Sequence, residues 1–375
     1  MIRRTLRIQL QQVIKTQKTI IIYGPRQVGK TTLLQQLAQQ FGQDARYIDC
    51  DFLSNRSILD IRSPQDLRNL CEGKKYILID EAQRIANIWL ILKIIHDSEY
   101  DVQVIATGSS SFSLSQHIHE PMTGRAYQMK MFPLSYEELK THYDTLWIHD
   151  HLDELLIYGS YPALINDSII DKKNKLDMIS GNYLYKDILA MDNIKKSDKL
   201  EKLLQLIALQ IGNQVSYHEL WQKLWMSSIT IEKYVRLLEE SFIILRLPSF
   251  HRNLRNELTK SQKIFFRDLG VRNSLLQDFR PLALRQDVWA LWENFIIMER
   301  IKYNYATNKR VKSYFRRNHQ QQEIDLIEEC DGILQAFEIK YSANKSGSLS
   351  SEFAKSYGVN TITTINTKNY WWYLS

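Results

Sequence analysis

The sequence predicts an α/β fold built on a parallel sheet, and three observations predict it. A β-branched run, Thr19-Ile20-Ile21-Ile22-Tyr23, leads into Gly24-Pro25-Arg26-Gln27-Val28-Gly29-Lys30-Thr31, and apolar residues then recur at helical spacing from Thr32 through Leu33, Leu34 and Leu37. Fifty positions after Lys30, Tyr76-Ile77-Leu78-Ile79 is a continuous apolar run closing on Asp80-Glu81, the pattern of a strand covered on both faces. A third run, Val102-Gln103-Val104-Ile105-Ala106-Thr107, ends in Gly108-Ser109-Ser110-Ser111.

The first unit is a complete G-x-x-x-x-G-K-T phosphate-binding loop in its required setting, after a strand and opening a helix. Successive loop N–H groups and the positive end of the helix form a concave anion site, with Gly24 and Gly29 free to take backbone angles that side chains forbid. Residues 24–32 are the candidate nucleotide contacts; Lys30 is placed to reach the β- and γ-phosphates, and Thr31 to hold magnesium. Acids closing a parallel strand lie where parallel-sheet sites form. Asp80 is expected to bind the magnesium through water, and Glu81 to orient the attacking water. Thr107 or Ser109 is a further candidate for the γ-phosphate or the lytic water, although a serine-rich turn needs no such role.

Bulk properties set the frame. With 375 residues, 44% hydrophobic and 24% charged, the chain is long enough for two or three globular domains. Cys50, Cys71 and Cys330 are widely separated and build no zinc site, which suits reduced thiols in a cytoplasmic protein. Apolar runs such as Trp89-Leu90-Ile91-Leu92 are far too short for a membrane span, and Met1-Ile2-Arg3-Arg4 is no signal peptide, so no membrane partner is expected. The net charge of +7 is uneven: residues 246–317 hold 16 Lys or Arg against 6 Asp or Glu. That segment would meet an acidic partner such as DNA first, unless its charges are balanced locally.

Several further segments carry a family resemblance. The phosphate loop, Ile79-Asp80-Glu81-Ala82-Gln83, Thr107-Gly108-Ser109, Thr123-Gly124-Arg125 and Phe132-Pro133-Leu134-Ser135-Tyr136-Glu137-Glu138 resemble the bacterial and archaeal AAA-type ATPases that carry a C-terminal domain of unknown function. The likeness continues through Gly159-Ser160-Tyr161-Pro162, where Gly-Gly-Tyr-Pro would be expected, then Tyr185-Lys186-Asp187-Ile188 and Phe265-Phe266-Arg267-Asp268-Leu269-Gly270. It implies ATP as the nucleotide and an αβα sandwich with a parallel sheet, followed by a winged-helix element and a nuclease-like C-terminal part. It also makes Arg125 a candidate for approaching the γ-phosphate, either in its own subunit or in a neighbouring copy of the chain. A plain salt bridge is the competing role for Arg125.

We divide the chain at 1–145 (ATPase), 146–250 (helical connector and winged helix-turn-helix) and 251–375 (restriction-endonuclease-like). Leu152 to Tyr158 reads as a short amphipathic helix, and Leu203, Leu204, Ile207, Ala208 and Ile211 make another helix stripe. Ser216 can cap Tyr217 to Leu224, Ser228 can cap a third helix, and Phe242-Ile243-Ile244-Leu245 reads as a strand. Three helices and a strand suggest a winged helix. Its third helix mixes Lys233 and Arg236 with Glu232, Glu239 and Glu240, which favours packing over gripping phosphates.

Asp331-Gly332 between two alternating runs signals a two-residue hairpin. Pairing Cys330 with Ile333 sets Leu326 opposite Phe337, Asp325 opposite Glu338 and Glu323 opposite Lys340. Two carboxylates about 5 Å apart repel by roughly 3 kcal/mol at an effective dielectric of 20, before solvent screening. A divalent cation between them would reverse the sign. Asp325 with Glu338-x-Lys340 is also the arrangement of PD-(D/E)xK nucleases, where the acids bind magnesium and the lysine assists the attacking water, and Glu293 on the preceding helix is a further candidate ligand. The competing reading is a hydrated amphipathic hairpin with Glu323 and Lys340 as a surface ion pair. Three functions follow: an ATP-hydrolysing switch or motor acting on a partner such as DNA, an ATP-regulated nuclease, or a slow-turnover nucleotide-dependent binding module.

Overall fold

The computed structural model describes residues 2–14, 16–108, 122, 124–183, 197–250, 262–317, 322–344, 357, 359 and 361–375. Five strands, β1 (Thr19–Tyr23), β2 (Ala45–Asp49), β3 (Tyr76–Asp80), β4 (Gln103–Gly108) and β5 (Ala126–Lys130), form one sheet in the order β2-β3-β4-β1-β5. Every pair is parallel, so all five C-terminal ends lie along one edge. The period-2 alternation of a strand sends neighbouring residues into different cores. Ile20, Ile22, Leu78 and Ile105 enter one buried cluster, while Ile21, Ile77, Ile79, Val104 and Ala106 enter the cluster on the opposite face. The apolar runs are continuous for that reason, and each of the Ile, Leu and Val side chains contributes about 1.5–3 kcal/mol on burial. β1 lies beside β4 and β5 although β2 and β3 intervene in sequence, which opens a crevice beyond the C-terminal ends of β1, β3 and β4.

Beyond this sheet, Ser135 and Glu138 form a capping box that starts the helix Tyr136–His142, and Leu152–Tyr158 is helical as expected. The helices Ser197–Leu209, Tyr217–Leu224 and Ser228–Glu240 precede a two-stranded antiparallel sheet of β6 (Ile244–Pro248) and β7 (Gln262–Phe266). Ser216 caps the second helix by accepting from the Glu219 N–H. The third is capped by Ser227, one position before the expected Ser228, because Ser227 holds the extended backbone from which its oxygen accepts the Thr230 N–H. Phe242 and Ile243, expected to open the strand, lie before it: Phe242 takes a left-handed turn (φ 60°) that closes the helix, and β6 begins only at Ile244.

The second large sheet has the order β11-β10-β9-β8, from β8 (Lys312–Arg317), β9 (Glu323–Cys330), β10 (Ile333–Ile339) and β11 (Ile362–Ile365). The hairpin register is as expected from Cys330↔Ile333 through Leu326↔Phe337, and Asp331 (φ 50°) and Gly332 (φ 81°) make its two-residue turn. A long helix, Val288–Ala306, links the two halves of the molecule; its 19 residues span about 28 Å. At its C-terminal half, Glu299 accepts the Tyr136 N–H at 2.6 Å and Lys302 donates to the Leu134 carbonyl at 2.9 Å. On its other flank, Arg300 pairs with the buried Glu328 of β9. Among the described residues no helix is long and apolar enough to cross a membrane.

Candidate active site

β1 ends directly at the phosphate loop, and two close constraints fix the loop's path. A Cβ on Gly24 would lie 2.2 Å from the Met131 carbonyl oxygen, so only glycine fits where the segment after β5 passes. Gly29 takes φ 97° and Gln27 φ 62°, turning successive N–H groups toward one concavity ahead of the helix Lys30–Phe41. Lys30 is buried, and its ammonium donates to the carbonyls of Gly24 (2.8 Å) and Pro25 (2.7 Å), so the cation already stands across the loop.

Asp80, 1% exposed, closes β3 at the same edge of the sheet as this loop, with β4 between the two strands. Its carboxylate accepts from the Tyr47 hydroxyl at 3.1 Å, from the Glu81 N–H at 3.2 Å and from the Thr107 hydroxyl. Burial and the Asp80 charge push the Tyr47 phenol well above its ordinary range, so Tyr47 stays a donor. Thr107 also accepts the Glu81 N–H at 3.2 Å. Its proton is committed to Asp80, which makes Thr107 a positioning residue and not a free donor for a phosphate. Glu81 sits at φ 52°, ψ 43°, a left-handed conformation that costs a non-glycine residue about 1–2 kcal/mol and turns its carboxylate out of the sheet. Gln83 donates to that carboxylate. The turned N–H groups, the loop cation and the anchored buried acid fit a magnesium-bound triphosphate, for which Thr31 and Asp80 would be the metal-side residues. Ser109 lies outside the described residues.

Arg125 is placed elsewhere. Its carbonyl accepts the Thr19 N–H at 3.0 Å, and Thr19 pairs with Ala126, so Arg125 stands at the start of the sheet. The five residues of β1 separate it from the phosphate loop by about 16 Å. There it pairs with Asp97 at 2.8 Å in a half-exposed salt bridge. It is not brought to the nucleotide site of its own chain.

Arg4 is a site residue that sequence patterns do not reveal. Its guanidinium donates to the Val28 carbonyl inside the phosphate loop and to the Phe132 carbonyl, and pairs with buried Glu138 at 3.0 Å. The loop is thereby tied to the segment that also holds the long helix. Nothing in Met1-Ile2-Arg3-Arg4 marks this, since the partners lie 24 to 134 positions away.

The C-terminal carboxylates converge, but around a cation of the chain itself. Oxygens of Glu293, Glu323 and Asp325 lie within 4.8 Å of one another. The ammonium of Lys263, from β7 and 2% exposed, bonds Glu293 at 2.7 Å and also Glu323. Lys340 pairs with Glu338 and stands 3.9 Å from Asp325, while Arg317 lies 3.7 Å from Glu323. The surface pair expected between Glu323 and Lys340 does not form, because Glu323 turns to the buried Lys263. Nor is Asp325 an exposed acid: it is 9% exposed and accepts the Ile339 N–H at 2.7 Å. Burial, with the neighbouring acids, raises Glu293 to about 7, and burial raises Asp325 and Glu338 as well. Burial alone would lower Lys263, but Glu293, Glu323 and Asp325 hold it above the ordinary lysine value. The residues present therefore do not fit a divalent ion at this cluster as folded.

Among the described residues of the basic segment 246–317, many cations are paired with acids of the chain. Arg246 pairs with Glu239, Arg272 and Arg285 with Asp287, Arg300 with Glu328 and Lys302 with Glu299. Lys309, Arg310 and Lys312 are exposed cations around the start of β8.

Comparison with known proteins agrees with the loop geometry. Residues 16–140 match the family model described as an AAA domain, and residues 149–281 and 290–372 match two models described as domains of unknown function. An uncharacterized protein of Mycobacterium tuberculosis is 26% identical over 348 residues, covering 92% of this chain and 75% of that one. One from Methanocaldococcus jannaschii is 23% identical over 331 residues, covering 83% and 72%. Among solved structures, the Thermotoga maritima RuvB Holliday junction branch migration motor is similar at 17% identity over 65% of this chain and 87% of that one, with a TM-score of 0.31. Residues 16–140 are thus similar to an AAA domain, and the two segments that follow are similar to domains of unknown function.

Proposed function

We propose that this protein binds ATP with magnesium, hydrolyses it, and uses the cycle as a molecular switch or motor acting on a partner. The observation that supports this reading is the placing of Lys30, buried across its loop, and of Asp80, held by Tyr47 and Thr107 and followed by a left-handed Glu81, at one edge of the parallel sheet. In this reading residues 24–32 cradle the phosphates and Lys30 neutralises the γ-phosphate oxygens. Glu81 orients a water in line with the bond to the β-phosphate, so that hydrolysis is mostly positioning and charge compensation. A magnesium ion held by Thr31 and Asp80 would supply Lewis-acid charge to the phosphates.

Coupling to the rest of the chain follows the bonded path from Val28 through Arg4 and Glu138, and from Leu134 and Tyr136 to Lys302 and Glu299 on the long helix. A partner such as DNA would meet the exposed Lys309, Arg310 and Lys312. The three helices followed by β6 support the winged-helix reading within 146–250, in a packing role: Arg236 of the third helix is paired with Glu240. Convergence of Asp325, Glu338 and Lys340 favours a second reading, an ATP-regulated nuclease, which Lys263 opposes.

The first reading is tested by titrating the protein with a fluorescent ATP analogue and magnesium. Saturable one-to-one uptake that is lost in Lys30→Ala is expected; equal uptake by both proteins would contradict it.

A further inference from the structure

A cluster of buried carboxylates needs a positive charge, and in this fold the charge arrives on a side chain. Glu293 comes from the long helix, Glu323 and Asp325 from β9, and Lys263 reaches them from β7. Lys340 of β10 is engaged with Glu338 and Asp325, and Arg317 of β8 flanks Glu323 from its exposed side. The Phe315 ring lies 5.6 Å from the Lys263 ammonium, and Gly212 presses so close that a Cβ there would stand 3.1 Å from Glu293 Oε2. Among the described residues, the Lys263 ammonium is the fully buried cation of the three acids, with Lys340 and Arg317 at their more exposed flanks.

We propose that Lys263 is the resident cation of this cluster: its ammonium holds the position between Glu293, Glu323 and Asp325 that a divalent ion would need. The C-terminal sheet is then closed to metal, and to metal-dependent phosphodiester cleavage, while β7 stays docked. Magnesium demands several oxygens at about 2.0–2.1 Å, a shell that cannot form around a centre already filled by an ammonium. β7 is also well held. Its Phe266 donates to and accepts from the Asn294 side chain at 2.7 and 2.8 Å, one residue beyond Glu293 on the same helix. Opening the site requires β7 and the long helix to part, and that helix is the one tied to the phosphate-loop wall through Glu299 and Lys302. The inference is independent of ATP hydrolysis, because it concerns the nucleotide-free fold.

The test is Mn2+ titration of nucleotide-free, full-length protein by calorimetry, with thermal denaturation in parallel. Asp325→Asn serves as the control that measures uptake elsewhere in the chain. Wild-type protein should show no uptake beyond that control. Lys263→Gln, which keeps a polar group but removes the charge, should gain one site bound at least about tenfold more tightly, and Mn2+ should raise its Tm by linkage. The double variant Lys263→Gln/Asp325→Asn should lose both effects. Wild-type uptake abolished by Asp325→Asn, or a folded Lys263→Gln that gains no site, would overturn the proposal. If Lys263→Gln folds only with help, Mn2+ in the refolding buffer should restore it while Lys263→Arg folds without metal; failure of Mn2+ to restore it counts against the proposal equally.

Discussion

Thr107, at the end of β4, gives its hydroxyl proton to Asp80 at the end of β3 and on the same oxygen takes the Glu81 N–H at 3.2 Å. One hydroxyl thus fixes both acids of the proposed nucleotide site. Thr107→Val keeps the shape but leaves a buried carboxylate and an N–H short of a partner, a cost of about 1–3 kcal/mol. ATP turnover should fall about tenfold with ATP affinity nearly unchanged, and Thr107→Ser should recover most of it. Chemical denaturation and steady-state kinetics read both effects.

Arg4 holds the phosphate loop through the Val28 carbonyl while buried against Glu138. Arg4→Ala should cost about 2–4 kcal/mol in stability, since it strips a buried acid of its ion pair. It should also raise the KM for ATP several-fold, because the loop loses its brace. Arg4→Lys should rescue little, as one ammonium cannot reach three acceptors arranged for a guanidinium fork.

Arg125 is paired with Asp97 at the far end of the sheet from the loop. Both side chains are more than a third exposed, so the pair contributes little to stability. In dilute protein, Arg125→Ala should leave ATP turnover unchanged. A loss of turnover that appears only at high protein concentration would assign Arg125 to a neighbouring subunit's nucleotide.

Acid stability should depend on Asp278 and Asp287. Arg280 chiefly, with Arg285, lowers Asp278 from 3.8 to about 2; burial would raise Asp287, but Arg285 and Arg272 hold it far below the ordinary range. Depressed folded-state values mean the stabilisation is fully present above about 3.8 and is lost as pH falls through the folded values. Asp287→Asn should therefore destabilise the protein at neutral pH, and the gap to wild type should narrow below pH 3.8 in acid titrations followed by circular dichroism.

What the sequence made legible was what depends on neighbours in sequence. The phosphate loop is read from eight consecutive residues, and the hairpin register from Asp331-Gly332 alone, because a two-residue turn leaves one pairing. The location of Arg125 was not legible, since the polarity of β5 beside β1 decides which end of the sheet it occupies. The excess charge of 246–317 misleads for a related reason: Arg272, Arg285, Arg300 and Lys302 find their acids only in the folded chain. Lys263 gave one weak sign, a lone cation in the otherwise apolar strand Lys263-Ile264-Phe265-Phe266. Its partners at 293 and 323 come from other elements.

The most direct test of the ATPase reading is single-turnover hydrolysis of radiolabelled ATP by wild-type protein and by Glu81→Gln at equal nucleotide occupancy. Glu81→Gln should retain bound ATP and hydrolyse it at least about a hundredfold more slowly. Equal rates in the two proteins would remove Glu81 as the residue that orients water and, with it, the catalytic role assigned to this site.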